Sequence, residues 1–201
     1  MKVPDSGMPE QSYWDSLFDL PLIAGWLELA TVDKPVVEIG CGYGTFTVPV
    51  AKSIKGMLYA FDVEPSMIET AERNVQSAGL HNVRFNHRDI IESGTGLEEG
   101  SVGLVLLFNI LHSEHRRTFL EEACRILAPS GRVAIIHWRK DIETPRGPKT
   151  ELRPDQQTIL DASTALNLSY QGKSGILKPY HWGIQLTKGS GNENRDHPGN
   201  Q

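Results

Sequence analysis

Short apolar runs alternate with longer polar stretches over most of the chain. Residues 36–39, 57–61, 83–86, 102–108 and 132–137 are runs too brief for helices and rich in β-branched or aromatic side chains, so they read as strands. Between them, apolar positions recur three and four apart over 45–54, 64–78 and 113–127, which predicts helices. Gly56 and Gly79 close the first two, and Pro129-Ser130-Gly131 stops the third. A further helix or pair of helices is predicted over 12–29, with Pro21 interrupting it, and another over 154–167. Two strands follow, from 168 to 173 with a possible reach to 177, and from 180 to 187. Strands alternating with helices argue a doubly wound α/β fold, its sheet mostly parallel and covered on both faces.

With 201 residues the chain is expected to hold one domain over 12–188, between a flexible N-terminus (1–11) and a disordered Gly/Asn-rich tail (189–201). The share of hydrophobic residues is 39%, enough for an ordinary globular core. Net charge is −5, which makes a nucleic-acid partner unlikely. Two cysteines, Cys41 and Cys124, supply neither a disulfide framework nor a metal-ligand spacing, so no metal is expected. Residues 1–11 hold no apolar segment of the secretory kind, and no run is long enough to cross a bilayer. A cytoplasmic protein with no membrane partner is expected; monomer or homodimer is left open.

The richest stretch is Val36-Val37-Glu38-Ile39-Gly40-Cys41-Gly42-Tyr43-Gly44-Thr45. A strand runs into three glycines at alternate positions and hands over to a helix. In an open α/β sheet such a turn lies at the carboxyl ends of the strands, where ligands bind. The spacing G-x-G-x-G differs from the dinucleotide G-x-G-x-x-G. Glu38 just before the turn would repel a pyrophosphate and attract a cation. Asp62 ends the second strand, Arg88-Asp89-Ile90 ends the third, and Phe108-Asn109-Ile110-Leu111-His112 ends the fourth. Asp62 also suits a helix N-cap before Glu64-Pro65-Ser66, and Asp89 suits a plain surface position.

Taken together, these motifs resemble those of class I S-adenosylmethionine-dependent methyltransferases over about residues 13–188. The resemblance implies S-adenosyl-L-methionine as cofactor and a seven-stranded Rossmann-like sheet with an antiparallel last strand. It also implies roles. Glu38 would face the methionine ammonium, and Gly40, Cys41, Gly42 and Gly44 would form the turn beneath the cofactor. Asp62 would hold the ribose and Val63 would flank the adenine. Asp89 and Ile90 would read the adenine edge, and the Asn109 carbonyl would meet the ammonium.

Methyl transfer needs an aligned nucleophile and, for some acceptors, a base. His112, His137 and His181 stand at strand ends expected on one rim and are the candidate bases. Tyr13 and Trp14 in the lead helix, Trp138, Trp182, and Arg146 in the 138–153 segment are the candidate substrate contacts. The exocyclic-amine motif Asn/Asp-Pro-Pro-aromatic is absent, and there is no basic tract. A small-molecule acceptor is therefore expected, with RNA or protein, or a non-catalytic binding module, as alternatives.

Overall fold

The computed structural model describes residues 8–190. Its frame is a seven-stranded sheet in the order β3-β2-β1-β4-β5-β7-β6. β1 (Val36–Ile39), β2 (Leu58–Asp62), β3 (Val83–His87), β4 (Val102–Phe108) and β5 (Leu127–Trp138) run parallel. β7 (His181–Lys188) inserts antiparallel between β5 and β6 (Leu168–Leu177). The strand order reverses after β1, between β2 and β4, so a crevice opens at the carboxyl end of the central strand.

β1 and β4 are the central strands, buried on both faces, and apolar throughout apart from Glu38 and Gly103. All four residues of β1 are buried, and so is every residue of β4 except Gly103. Alternation then divides β4. Leu104, Leu106 and Phe108 pack on one face against Leu27 and Val50, from α2 (Leu20–Leu27) and α3 (Thr47–Ser53). Val105 and Leu107 pack on the other face against Leu120 and Ile159, from α6 (Arg116–Ile126) and α7 (Gln156–Ser163). Each such leucine contributes about 1.5–3 kcal/mol by leaving water.

The lead segment forms two helices. α1 (Gln11–Asp15) ends before a break, and Asp19 starts α2 by accepting from Leu22 N at 3.0 Å. Pro21 therefore sits in the first turn of α2, where it lacks no needed donor, and does not interrupt it. α4 (Pro65–Ser77) matches the periodicity, with Gly79 left-handed just past its end. Asp89 caps the one-turn α5 (Ile90–Ser93), which has no counterpart among the predicted helices.

Three boundaries depart from the sequence pattern. α6 starts at Arg116 and stops at Ile126, inside the predicted 113–127. Leu127 already pairs with Val102 as strand, so Pro129-Ser130-Gly131 makes an irregularity within β5 rather than a stop before it. Ser130 takes φ 64°, and pairing resumes at Arg132 with Leu104. α7 spans only Gln156–Ser163 of the predicted 154–167, opening at the Asp155 cap. Among the described residues, no helix is long and apolar enough to cross a membrane. Residues 1–7 and 191–201, which hold most of the two expected mobile ends, lie outside the described residues.

Candidate functional site

A cavity of about 210 Å³ opens at the carboxyl ends of β1, β2 and β4. Its floor is the glycine turn. Gly40 N and Cys41 N both donate to Phe61 O, at 2.8 and 3.0 Å, which binds the turn to the end of β2. Gly40 has φ +81°, and a Cβ there would lie 2.8 Å from the Ile110 side chain. Gly42 has φ +54°, and its open face points to the cavity, where only the Met8 methyl comes near, at 3.7 Å from an added Cβ. Both positions need glycine for conformation and for close approach. Gly44 N closes the turn on Cys41 O at 2.9 Å. Cys41 is buried and its thiol is pushed far up by that burial, so it fills space and is no nucleophile.

Four carboxylates surround the turn. Glu38 is 1% exposed, and Thr47 Oγ1 donates to its Oε2 at 2.6 Å. Its other oxygen, Oε1, is buried without a partner. Burial pushes its pKa up to about 8; the Thr47 bond opposes that rise and the Asp62 charge adds to it. Asp62 holds the turn from the side: Oδ2 accepts from Gly42 N at 2.8 Å and Oδ1 from Glu64 N at 2.9 Å. It is not a side-chain cap of α4, whose N-cap is Glu64. Burial raises its pKa despite those bonds. Each oxygen keeps a second lone pair for an external hydroxyl. Asp89 Oδ1 accepts from Ile91 N at 2.8 Å, with Ile90 buried beside it, and Asp15 Oδ1 accepts from Thr45 Oγ1 at 2.6 Å. Such a rim disfavours a pyrophosphate.

The N-terminal segment is tied across this floor. Tyr43 Oη donates to Pro9 O at 2.6 Å, and Asn74 Nδ2 bridges Gln11 Oε1 and Tyr43 O. Trp14 thereby enters the cavity wall, packed edge-on to Phe18 and Trp138. Arg153 clamps the segment after β5. Its guanidinium donates to Pro148 O, Arg139 O and Arg146 O, at 2.9, 2.7 and 3.3 Å. That clamp sets Gly147 against the Trp138 indole and Pro148 in the cavity wall.

Of the sequence candidates, Gly40, Cys41, Gly42, Asp62, Val63, Asp89, Ile90 and Asn109 line the cavity, as do Trp14, Trp138 and His112. Glu38 and Gly44 lie just beneath the floor. Asn109 takes φ 57°, its N–H bonded to Ile136 O, and both polar atoms of its side chain are buried without a partner.

The three histidines do not converge. The antiparallel register pairs His137 with Trp182 and Trp138 with His181, so the sheet separates His137 from His181. His137 lies behind His112, with ring centroids 5.6 Å apart, and is held neutral by complete burial. His181 is stacked on Phe18 at 4.5 Å and lies 4.2 Å from Trp138; burial lowers its pKa to about 3. Neither reaches the cavity wall. Trp182 packs on His137 in the core, Tyr13 is exposed outside the wall, and Arg146 stays in the clamped segment without lining the cavity. Phe46 and Phe108 line the wall and were missed, because apolar residues at an element end read as core. Their one signal is that they flank the glycine turn and Asn109. Among the described residues, no group of three His, Cys, Asp or Glu is placed to hold a metal.

The family model described as a methyltransferase domain matches residues 36–131. A solved S-adenosylmethionine-dependent methyltransferase from Aquifex aeolicus is 25% identical, with TM-score 0.76 over 89% of this chain and 93% of that one. The catalytic subunit of a tRNA (adenine(58)-N(1))-methyltransferase from Cryptococcus neoformans is 34% identical over 77 residues, 37% of this chain and 18% of that protein. A demethylmenaquinone methyltransferase from Geobacillus stearothermophilus is 26% identical over 101 residues, 49% of this chain and 42% of that protein. The chain thus matches less than half the length of these curated relatives.

Proposed function

The domain containing residues 36–131 belongs to the class I S-adenosylmethionine-dependent methyltransferases, and from that premise we propose that the chain transfers a methyl group to a small molecule. The observation that carries the proposal is the cavity itself: a glycine floor and an aromatic wall in one space, with a buried carboxylate that has an idle oxygen just beneath the floor.

The residues fit the family's cofactor. Glu38 offers Oε1 to an ammonium, Asp62 offers lone pairs to a ribose diol, and Asp89 and Ile90 stand where an adenine edge would lie. Val63 flanks that base, and the Asn109 carbonyl accepts from the ammonium. When bound, the cofactor supplies an electrophilic methyl on a sulfonium; no metal or redox partner is needed. The protein's part is to orient the acceptor, exclude water and accept a proton. His112 is the titratable group of the wall assigned as base.

The tRNA-modifying relative raises RNA as acceptor. Net charge of −5 and the aromatic wall favour the small molecule. Methyl-labelled S-adenosylmethionine, incubated with the protein and a cell extract, separates the two. Label in the low-molecular-weight fraction supports the proposal, and label confined to RNA or protein overturns it.

A further inference from the structure

The lead segment reaches the cavity without belonging to the core. None of residues 8–16 is buried, and Leu17 and Phe18 are the first side chains packed inside. α1 is five residues long, a length at which a helix has little stability of its own. Side-chain hydrogen bonds hold it down. Tyr43 Oη donates to Pro9 O at 2.6 Å, Thr45 Oγ1 to Asp15 Oδ1 at 2.6 Å, and Asn74 Nδ2 to Gln11 Oε1 at 3.2 Å. Tyr43 lies within the glycine turn and Thr45 directly follows it, and Asn74 is tied to the turn through Tyr43 O at 2.8 Å. The segment is thus latched to the floor that it covers. A segment held by a few hydrogen bonds, with no buried residue, opens without unfolding the sheet.

Two of its side chains complete the cavity. The Met8 methyl lies 3.7 Å from a Cβ built on Gly42, and Trp14 stands in the wall, edge-on to Trp138. The segment after β5 also lines the cavity, through Pro148, but Arg153 is buried and fixes that segment by three carbonyl bonds. Of these two walls the lead segment is the one more weakly held.

We propose that residues 8–16 are a gate over the cofactor, latched by the glycine turn and held shut more firmly when the turn is occupied. The inference rests on the methyltransferase proposal above. A ligand on Gly40 and Gly42 touches Met8 and Trp14 only while the gate is shut, and that difference lets occupancy favour the shut form. Met8 is unbranched and adaptable, so it re-seats over a ligand while the latch holds. A weaker latch must then weaken the ligand, by at most the factor that it adds to opening. The gate also sets an order: the cofactor enters first, and the acceptor wall that includes Trp14 is complete only afterwards.

The test joins hydrogen exchange to ligand release. Amides over 11–16 are followed by mass spectrometry, with those of β4 as reference. In the free protein they are expected to exchange at least about a hundredfold faster than β4, and saturating S-adenosylhomocysteine should slow them at least about tenfold. Tyr43→Phe removes the hydroxyl that holds Pro9, and Asp15→Ala removes the acceptor of Thr45. Each is expected to speed both the exchange in the free protein and the release of S-adenosylhomocysteine about fivefold, the worth of one hydrogen bond. Arg153→Met, which loosens the other wall, should change neither; faster release from it overturns the gate. Exchange over 11–16 that is as fast with S-adenosylhomocysteine as without it, or faster, overturns it too, as does release indifferent to both latch substitutions. Faster release without faster exchange would assign the Tyr43 hydroxyl to the turn itself, and the inference falls. If S-adenosylhomocysteine does not bind the unaltered protein, the methyltransferase proposal falls first and the gate with it.

Discussion

The proposed contact of Glu38 with the cofactor's ammonium predicts that cofactor binding releases a proton. The ordinary Glu38 pKa of 4.5 rises to about 8 in the fold, chiefly because burial disfavours the charged form. In the free protein at pH 7 it is therefore mostly protonated, with Oε1 idle. An ammonium placed against Oε1 favours the carboxylate, so binding must expel the proton. Below pH 8 the affinity for S-adenosylhomocysteine should fall by up to about tenfold per pH unit, because each unit makes the ionised form tenfold rarer. Titrations at pH 6 to 9, in buffers of differing ionisation heat, count the proton directly: close to one released at pH 6–7 and close to none at pH 9. The nucleoside 5′-methylthioadenosine keeps the ribose and base but lacks the ammonium. It controls for Asp62, whose pKa is also raised, and should release no proton through Glu38. Glu38→Gln should flatten the pH dependence. The sign for folding is the reverse of the usual carboxylate. The native state holds the proton between pH 4.5 and 8 and the unfolded chain does not, so this group's stabilisation is complete below 4.5 and is lost as pH rises to 8. The difference from 4.5 to 8 is worth about 5 kcal/mol, so Glu38→Gln should gain stability relative to the parent in alkaline buffer. Affinity that stays flat from pH 6 to 8, with no proton released, refutes the ammonium contact.

Three further changes probe the frame around the site. Gly40→Ala meets the Ile110 side chain at 2.8 Å on a φ of +81°; we expect a loss of about 1–3 kcal/mol in urea unfolding and at least tenfold weaker S-adenosylhomocysteine binding, roughly the cost of a left-handed backbone plus a clash. Arg153→Met removes the donor to three carbonyls, so stability should drop by about 2 kcal/mol and protease should cut faster between 139 and 153, with cofactor affinity retained. Unchanged proteolysis would show that the clamp does not hold the segment. His181→Phe replaces two buried, unpartnered nitrogens on an aromatic stack and should stabilise by about 1–2 kcal/mol at pH 7. Because the native pKa is about 3 and the unfolded value 6.5, His181 costs stability as pH falls from 6.5 toward 3, and the variant should lose less on that acid limb. A fall in turnover without a change in folding would instead return His181 to the chemistry.

Much of the frame could be read from local pattern alone. β1 and β4 announce themselves by apolar runs, and the glycine turn by residues that only a left-handed backbone requires. What escaped depended on register. Positions 137 and 181 lie at strand ends of one rim and 112 follows β4 there, yet side chains at 137 and 138 point to opposite faces. Only the antiparallel pairing of 138 with 181 decides that His181 goes with Trp138. The start of β5 at Leu127 was hidden for a related reason. Pro129-Ser130-Gly131 is a stop signal locally, and the neighbouring strand overrides it through the Val102 pairing. Phe46 and Phe108 look like core in any sequence; their place in the cavity wall follows from where α3 starts and β4 ends.

The most direct measurement is calorimetry of the protein with S-adenosylhomocysteine and with NAD, repeated on Asp62→Ala. Saturable binding of the adenosyl ligand, at least about a hundredfold weaker in Asp62→Ala and absent for NAD, is the predicted result, since the carboxylate proposed to accept from the ribose hydroxyls, and which also accepts from Gly42 N and Glu64 N, is removed. No binding of S-adenosylhomocysteine, or NAD bound as tightly, contradicts the account.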